Sequence, residues 1–239
     1  MPKNYGLKLI NLKRCFLEGN NKNNLFNEQY ANRMNDFALS ERATKEIEFL
    51  IKKILPTENS KVLDFGCNTG VTMNHIWERC RSKMYGVDIN EYGINEGKNK
   101  YPSFNFKIIN SHLLPYKNNF FDWVMVNHVI AHVPNPSLTL KEIYRVLKAN
   151  GKVSIVTPNR WYAIFMTPNN IINNYKPDPT ILRYYTFKSL NKLLKECGFD
   201  DIDQTFFGEM PSCLNFLSVN FCKMRLIAIA KKGDIKNEN

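Results

Sequence analysis

A short glycine-bearing segment, Asp64-Phe65-Gly66-Cys67-Asn68-Thr69-Gly70, is followed about twenty residues later by Asp88. Small residues in such a segment let a ligand approach the backbone, and a helix beginning there presents free N–H groups. A carboxylate at that spacing suits hydrogen bonds from two ribose hydroxyls. Together these point to a nucleotide-like ligand, though not to the commonest ones. A dinucleotide fingerprint would need glycine at Asn68 and Val71, and the Lys-Ser/Thr pair of a P-loop is absent. Further along, His128 and His132 lie four residues apart. Histidine is the side chain most easily poised near neutral pH to take a proton. Structural readings stand beside these: Asp88 could cap the next helix, Asp64 could be a turn acid, and Cys67 reads as a small buried filler.

The pattern around these residues alternates strand and helix. Lys61–Cys67 is a short apolar run, and Thr69–Cys80 has helical spacing through Val71, Met73, Ile76 and Trp77. Lys83–Ile89 reads as a second strand and Glu91–Lys100 as a helix; Phe104–Asn110 and Phe121–Val129 are the third and fourth strands. A helix at Ser137–Lys148 is expected to stop at Asn150-Gly151, before a fifth strand at Lys152–Thr157. A helix at Thr186–Cys197, stopped by Gly198, and strands at Ile202–Phe207 and Arg225–Lys231 complete the pattern. Ahead of the first strand, residues 39–55 form a helix with Ser40 as N-cap and Ala43, Ile47, Leu50, Ile51 and Ile54 on one face. Residues 1–38 lack clean periodicity. Such alternation predicts an α/β fold with a mostly parallel sheet and helices on both faces, whose ligands bind beyond the carboxyl ends of the strands.

At this point the sequence resembles the class I S-adenosylmethionine-dependent methyltransferases, particularly the small-molecule branch that includes quinone-biosynthesis enzymes. VLDFGCNTG resembles that family's first motif and YGVDI its second. LPYKNNFFDWVMVNHVIAHVPNPSLTLKEIYRVLKANGKVSIVTPN matches the stretch from before strand four through strand five, and LNKLLKECGF the helix before strand six. The likeness covers about residues 40–200 and implies a Rossmann-like, seven-stranded sheet. It further implies S-adenosylmethionine as cofactor and S-adenosylhomocysteine as product. Asp64, Gly66, Cys67, Asn68 and Gly70 would shape the pocket for the methionine part, and Asp88 with Ile89 would hold the ribose. Asn110, followed by Ser111, stands where the family usually has an aspartate for the adenine amino group; an amide oxygen can accept the same bond. Asn68 replaces a glycine, and asparagine tolerates positive φ. Asn127 and His128 would lie beside the methionine portion and the sulfonium.

Methyl transfer is an in-line displacement on an activated sulfonium, so positioning is the protein's main task and a base is needed only when the acceptor must lose a proton. No carboxylate lies between Asp122 and Glu142. This argues against a paired-glutamate arginine-methylating site and against a carboxylate-rich metal site, so no metal is expected. Motifs for methylating base amines or pyrimidine carbon are absent. His132 and His128 are therefore the candidate bases, although the family often uses a histidine at the position of His132 structurally. Trp161, Tyr162, Phe165, Met166, Tyr175, Arg183, Tyr184 and Tyr185 fall in a cap insert at about 159–185. They could wall an aromatic or amphipathic acceptor, or could simply pack a lid onto the sheet edge. Tyr30 and Arg33, in an N-terminal extension at 1–38, are expected to close over the cofactor.

The chain of 239 residues is 44% hydrophobic and 23% charged, which excludes wholesale disorder. No segment approaches a membrane span of about 18–20 apolar residues, and no signal-peptide run forms among Leu7, Lys8, Lys13 and Arg14. The six cysteines show no C-x-x-C pair; a reduced, cytoplasmic protein is expected. The net charge of +11 is spread evenly along the chain, which argues against a nucleic-acid partner. The expected function is metal-independent methylation of a small molecule, at oxygen before nitrogen or carbon, by a monomer or homodimer. The alternatives are an RNA or protein methyltransferase and a non-catalytic binding protein that keeps the fold.

Overall fold

The computed structural model describes residues 27–164, 180–208 and 224–233. In chain order the elements are α1 (Glu28–Ala38), α2 (Glu41–Ile54), β1 (Lys61–Phe65), α3 (Val71–Cys80), β2 (Lys83–Asp88), α4 (Glu91–Lys100) and β3 (Asn105–Ile108). They continue with β4 (Phe121–Asn127), α5 (Pro136–Val146), β5 (Leu147–Pro158), α6 (Phe187–Glu196), β6 (Phe199–Phe207) and β7 (Arg225–Lys232). The strands form one sheet in the order β3-β2-β1-β4-β5-β7-β6, in which β7 runs antiparallel to both β5 and β6 while the other neighbouring pairs are parallel.

Side chains alternate across the central strands and so build two cores. On one face, Val62, Met84, Phe106, Trp123 and Met125 pack with Ile47 and Leu50 of α2, Met73 and Ile76 of α3, and Ile94 of α4. On the other, Leu63, Val124, Val126, Val153 and Ile155 pack with Leu140 and Ile143 of α5 and Leu190 and Leu194 of α6. The strands at the sheet centre are apolar on both sides because helices cover both. Trp123 is fully buried, and its indole N–H donates to Ser154 Oγ at 2.9 Å, so its polar atom is not stranded.

Local capping follows the sequence. Ser40 accepts from the Ala43 N–H to start α2, Asn90 from Gly93 to start α4, and Thr186 forms a capping box with Ser189 to start α6. Two expectations are corrected. The helix before the fifth strand ends at Val146, and Asn150-Gly151 does not stop it. Those residues sit inside β5, where Phe121 pairs with Leu147 but Trp123 with Lys152. Asn150, at φ 61°, makes the bulge that absorbs the extra residues. The second correction is α1, which weak periodicity had hidden: only Ala31 is buried in it, and Asn27 caps it.

Candidate active site

The reversal in strand order lies between β1 and β4, and at their carboxyl ends sits a cavity of about 110 Å³. It is lined by the β1 exit (Asp64, Gly66, Cys67, Asn68), the β4 exit (Asn127, His128, Val129), the first turn of α3, and α1 and α2 above. Gly66 is required there. Its φ is +88°, and a Cβ would stand 2.2 Å from Val129 Cγ2. Gly70, at φ 81°, is the N-cap of α3.

The loop and β2 are tied through Asp88. Its carboxylate accepts from the Asn68 N–H at 2.7 Å and the Asn90 N–H at 2.8 Å. Burial pushes Asp88 upward, and the N–H groups of Asn90, Asn68 and Ile89 pull it back. A carboxylate has about four acceptor positions, so Asp88 keeps some acceptor capacity for a diol beyond these N–H groups. Asn110 and Ser111 are both exposed beyond β3, and Ser111 Oγ accepts from the Leu113 N–H. Ile89 packs against the core.

Asn68 holds φ 48° and does more than replace a glycine. Its amide donates to Ala31 O at 3.0 Å and to Asn35 Oδ1 at 3.1 Å, and Thr69 Oγ1 donates to the same Asn35 oxygen. The loop is thereby latched to α1. Tyr30 of α1 lines the cavity, whereas Arg33 is exposed and lies over the Tyr30 ring at 5.4 Å.

The cavity lining is rich in acceptors. Asp64 is 3% exposed, and burial, with Asp88 nearby, raises its pKa to about 7. Asn127 Oδ1 is buried with no hydrogen-bond partner, and Glu46 Oε1 is buried with Arg225 Nε at 3.6 Å, beyond hydrogen-bond distance. Such acceptors fit a cationic ligand carrying an ammonium and a sulfonium. Cys67 is buried among them, and burial together with Asp88 and Asp64 holds its thiol protonated.

The two histidines diverge. His128 lines the cavity in left-handed backbone (φ 59°), with Nε2 2.8 Å from Glu46 Oε2 and the Phe37 ring edge-on at 5.0 Å. Its pKa is lowered, burial outweighing the raising effect of Glu46. His132 instead braces the following turn: its N–H bonds Val129 O and its Nδ1 meets Thr180 Oγ1 at 2.8 Å. Arg183 forks onto Val133 O and Pro134 O of the same turn. Trp161 is exposed, Tyr162 and Tyr184 are half-buried, and none of the three lines the cavity. Phe165, Met166 and Tyr175 lie outside the described residues.

Glu46 and Asn35 were missed in the sequence. A signal existed for Glu46: it occupies a core position between Ala43 and Ile47/Leu50 on the buried face of α2. Its acid reaches the β4 exit, where the local sequence has none. Among the described residues no group of three or more His, Cys, Asp and Glu could hold a metal ion. No helix among them is long and apolar enough to cross a membrane.

A family model described as a methyltransferase domain matches residues 32–204. The tRNA U34 carboxymethyltransferase of Aliarcobacter butzleri is 27% identical over 160 residues, 64% of this chain and 52% of that protein. The ubiquinone/menaquinone biosynthesis C-methyltransferase of Rickettsia typhi is 30% identical over 116 residues, 44% of this chain and 46% of that protein. The chain thus spans about half the length of these relatives. Among solved structures, an S-adenosylmethionine-dependent methyltransferase from Thermotoga maritima aligns with a TM-score of 0.65 at 19% identity, over 86% of this chain and 97% of that one.

Proposed function

This chain belongs to the class I S-adenosylmethionine-dependent methyltransferase family, and on that premise we propose that it methylates a small-molecule acceptor, at oxygen before nitrogen or carbon, without a metal. Bound S-adenosylmethionine supplies an activated methyl group. Asp88 accepts the ribose hydroxyls with its remaining acceptor capacity. Asp64, Asn127 and the backbone at Gly66–Asn68 receive the methionine end, where Asn127 Oδ1 is buried without a hydrogen-bond partner and Asp64 is a buried acid. Asn110 and Ser111, beyond β3, face the adenine side. The cavity is smaller than the roughly 300 Å³ at the low end of ligand sites, so α1, with Tyr30 and Arg33, covers the cofactor site and must shift to admit its ligand.

The observation that carries oxygen methylation is His128. It is half-buried at the cavity, held by a carboxylate and pushed toward its neutral form, which is the state a base for a hydroxyl needs. His132 and Arg183 support the turn, and Trp161, Tyr162 and Tyr184 are left to the acceptor's outer part. One experiment tests the reading. The protein is titrated calorimetrically with S-adenosylmethionine and S-adenosylhomocysteine, and acceptor pools are then screened by mass spectrometry with and without chelator. Cofactor binding followed by a 14-dalton gain on a hydroxyl compound (one CH2, from replacing a proton by a methyl) supports it. Activity abolished by chelation and restored by Mg²⁺ would remove the metal-independent part. The size of the net charge, +11, and the tRNA-directed relative favour a second reading, an RNA substrate, although the even spread of that charge counts against it. That reading predicts RNA binding that falls steeply with salt.

A further inference from the structure

The buried face of α2 is built from Ala43, Ile47 and Leu50, and Glu46 stands within it at 2% exposure. A carboxylate in that place is costly unless it is paired. Glu46 Oε2 meets His128 Nε2 at 2.8 Å, and Oε1 faces Arg225 Nε at 3.6 Å. The three residues come from α2, the β4 exit and the first position of β7. An apolar residue at position 46 would serve the core at least as well. The backbone at His128 also holds a left-handed φ that costs about 1–3 kcal/mol for an ordinary residue. Packing alone accounts for neither feature.

We propose that Glu46 is the positioning residue for the catalytic base His128. Accepting the Nε2 proton, it fixes the tautomer in which Nδ1 keeps its lone pair, and Arg225 tempers the pair. The inference rests on the reading of His128 given above. As the acceptor oxygen takes the methyl group, its proton passes to Nδ1, and the electron pair of the broken carbon–sulfur bond stays on sulfur. The imidazolium so formed is offset by Glu46 and returns the proton to water. The charged and titratable groups facing the ring are Glu46 from α2, Arg225 from β7 and His132 from the turn after β4. Phe37 of α1 contributes an uncharged edge.

The test is ¹⁵N side-chain NMR of the histidines in the full chain, with His128 assigned through His128→Gln. The wild-type ring is expected as the Nε2–H tautomer. Glu46→Gln is expected to lower the His128 midpoint by about 1–3 units, and Arg225→Gln to raise it. The pH profile of turnover in the same variants is expected to move with the His128 midpoint, which a merely structural ion pair would not produce. An Nδ1–H tautomer, or a midpoint unmoved in both variants, overturns the proposal. Should Glu46→Gln not fold, the wild-type tautomer and Arg225→Gln decide between the two. Titration with S-adenosylhomocysteine separates the two readings. Wild-type protein that fails to bind it defeats the enzymatic reading while the tautomer still reports on the dyad. Retained binding with an unmoved midpoint defeats the dyad alone.

Discussion

The two halves of the cavity are built by different means. The half formed by β1, β2 and the loop between β1 and α3 is a local device. Gly66, Asn68 and Asp88 fall within one strand–helix–strand unit, and backbone N–H groups make most of its bonds. The half at the β4 exit is assembled from afar: Glu46, His128 and Arg225 arrive from three elements and interact through side chains. Backbone-built sites tolerate change in side-chain identity so long as turn geometry survives. A side-chain-built site depends on each residue type. The first half is expected to govern cofactor affinity and the second turnover.

The contrast is strongest between the histidines. His128→Ala is expected to reduce turnover by about 10²–10⁴-fold with S-adenosylhomocysteine affinity nearly unchanged. His132→Ala, losing its bond to Thr180, should cost about 1 kcal/mol of stability in chemical denaturation and leave turnover within a few-fold. Equal losses of turnover would erase the division. Next in size, Asp88→Ala should weaken cofactor binding by roughly 10²-fold or more, because hydrogen bonds to an ionised acceptor are worth about 1.5–3 kcal/mol each. Calorimetry reads this directly, and undiminished affinity would remove Asp88 from the site.

A smaller effect comes from Asp64, whose pKa is raised to about 7. Between the ordinary carboxylate range and pH 7 the folded chain holds a proton that the unfolded chain has released. This contribution to stability therefore falls as pH rises through that window and levels off above 7. A cationic ligand favours the ionised form. Cofactor binding at pH 6 should release protons, and affinity should rise toward pH 8. Calorimetry in buffers of different ionisation heat measures the release; Asp64→Asn should abolish it. His128 works oppositely on stability, since its lowered pKa makes the fold lose that contribution as pH falls below about 6.5. Smallest of all, Asn35→Ala removes the acceptor shared by Asn68 and Thr69. It should lower stability by about 1 kcal/mol and speed cofactor association several-fold in stopped-flow fluorescence. An unchanged association rate would mean that α1 does not limit entry.

What the sequence made legible follows the same division. The strand–helix alternation, the loop after β1 and Asp88 are encoded in contiguous segments, where periodicity and spacing carry the information. Arg225 looked like an ordinary strand residue, and nothing local to it announces a partner 179 positions earlier in the chain. Glu46 was hidden because apolar periodicity invites the reader to skip a charge at a core position. The helix α1 was hidden for the opposite reason: it buries too little to print a pattern, and polar contacts dock it. Asn150-Gly151 misled because the same dipeptide serves a helix end and a strand bulge, and only the pairing of β4 with β5 distinguishes them.

The reversed direction of β7 has a consequence in time. An antiparallel strand begins where its parallel neighbours finish, so this one delivers Arg225 to the ligand-binding end of the sheet. Among the described strands β7 is also the last in chain order. A growing polypeptide can complete the β1-to-β2 unit early, from contacts close in sequence, whereas the grouping of Glu46, His128 and Arg225 must wait for long-range pairing, the slow part of folding. Until β7 pairs with β5, the nascent chain can carry the segments of the first half of the cavity but cannot complete the second.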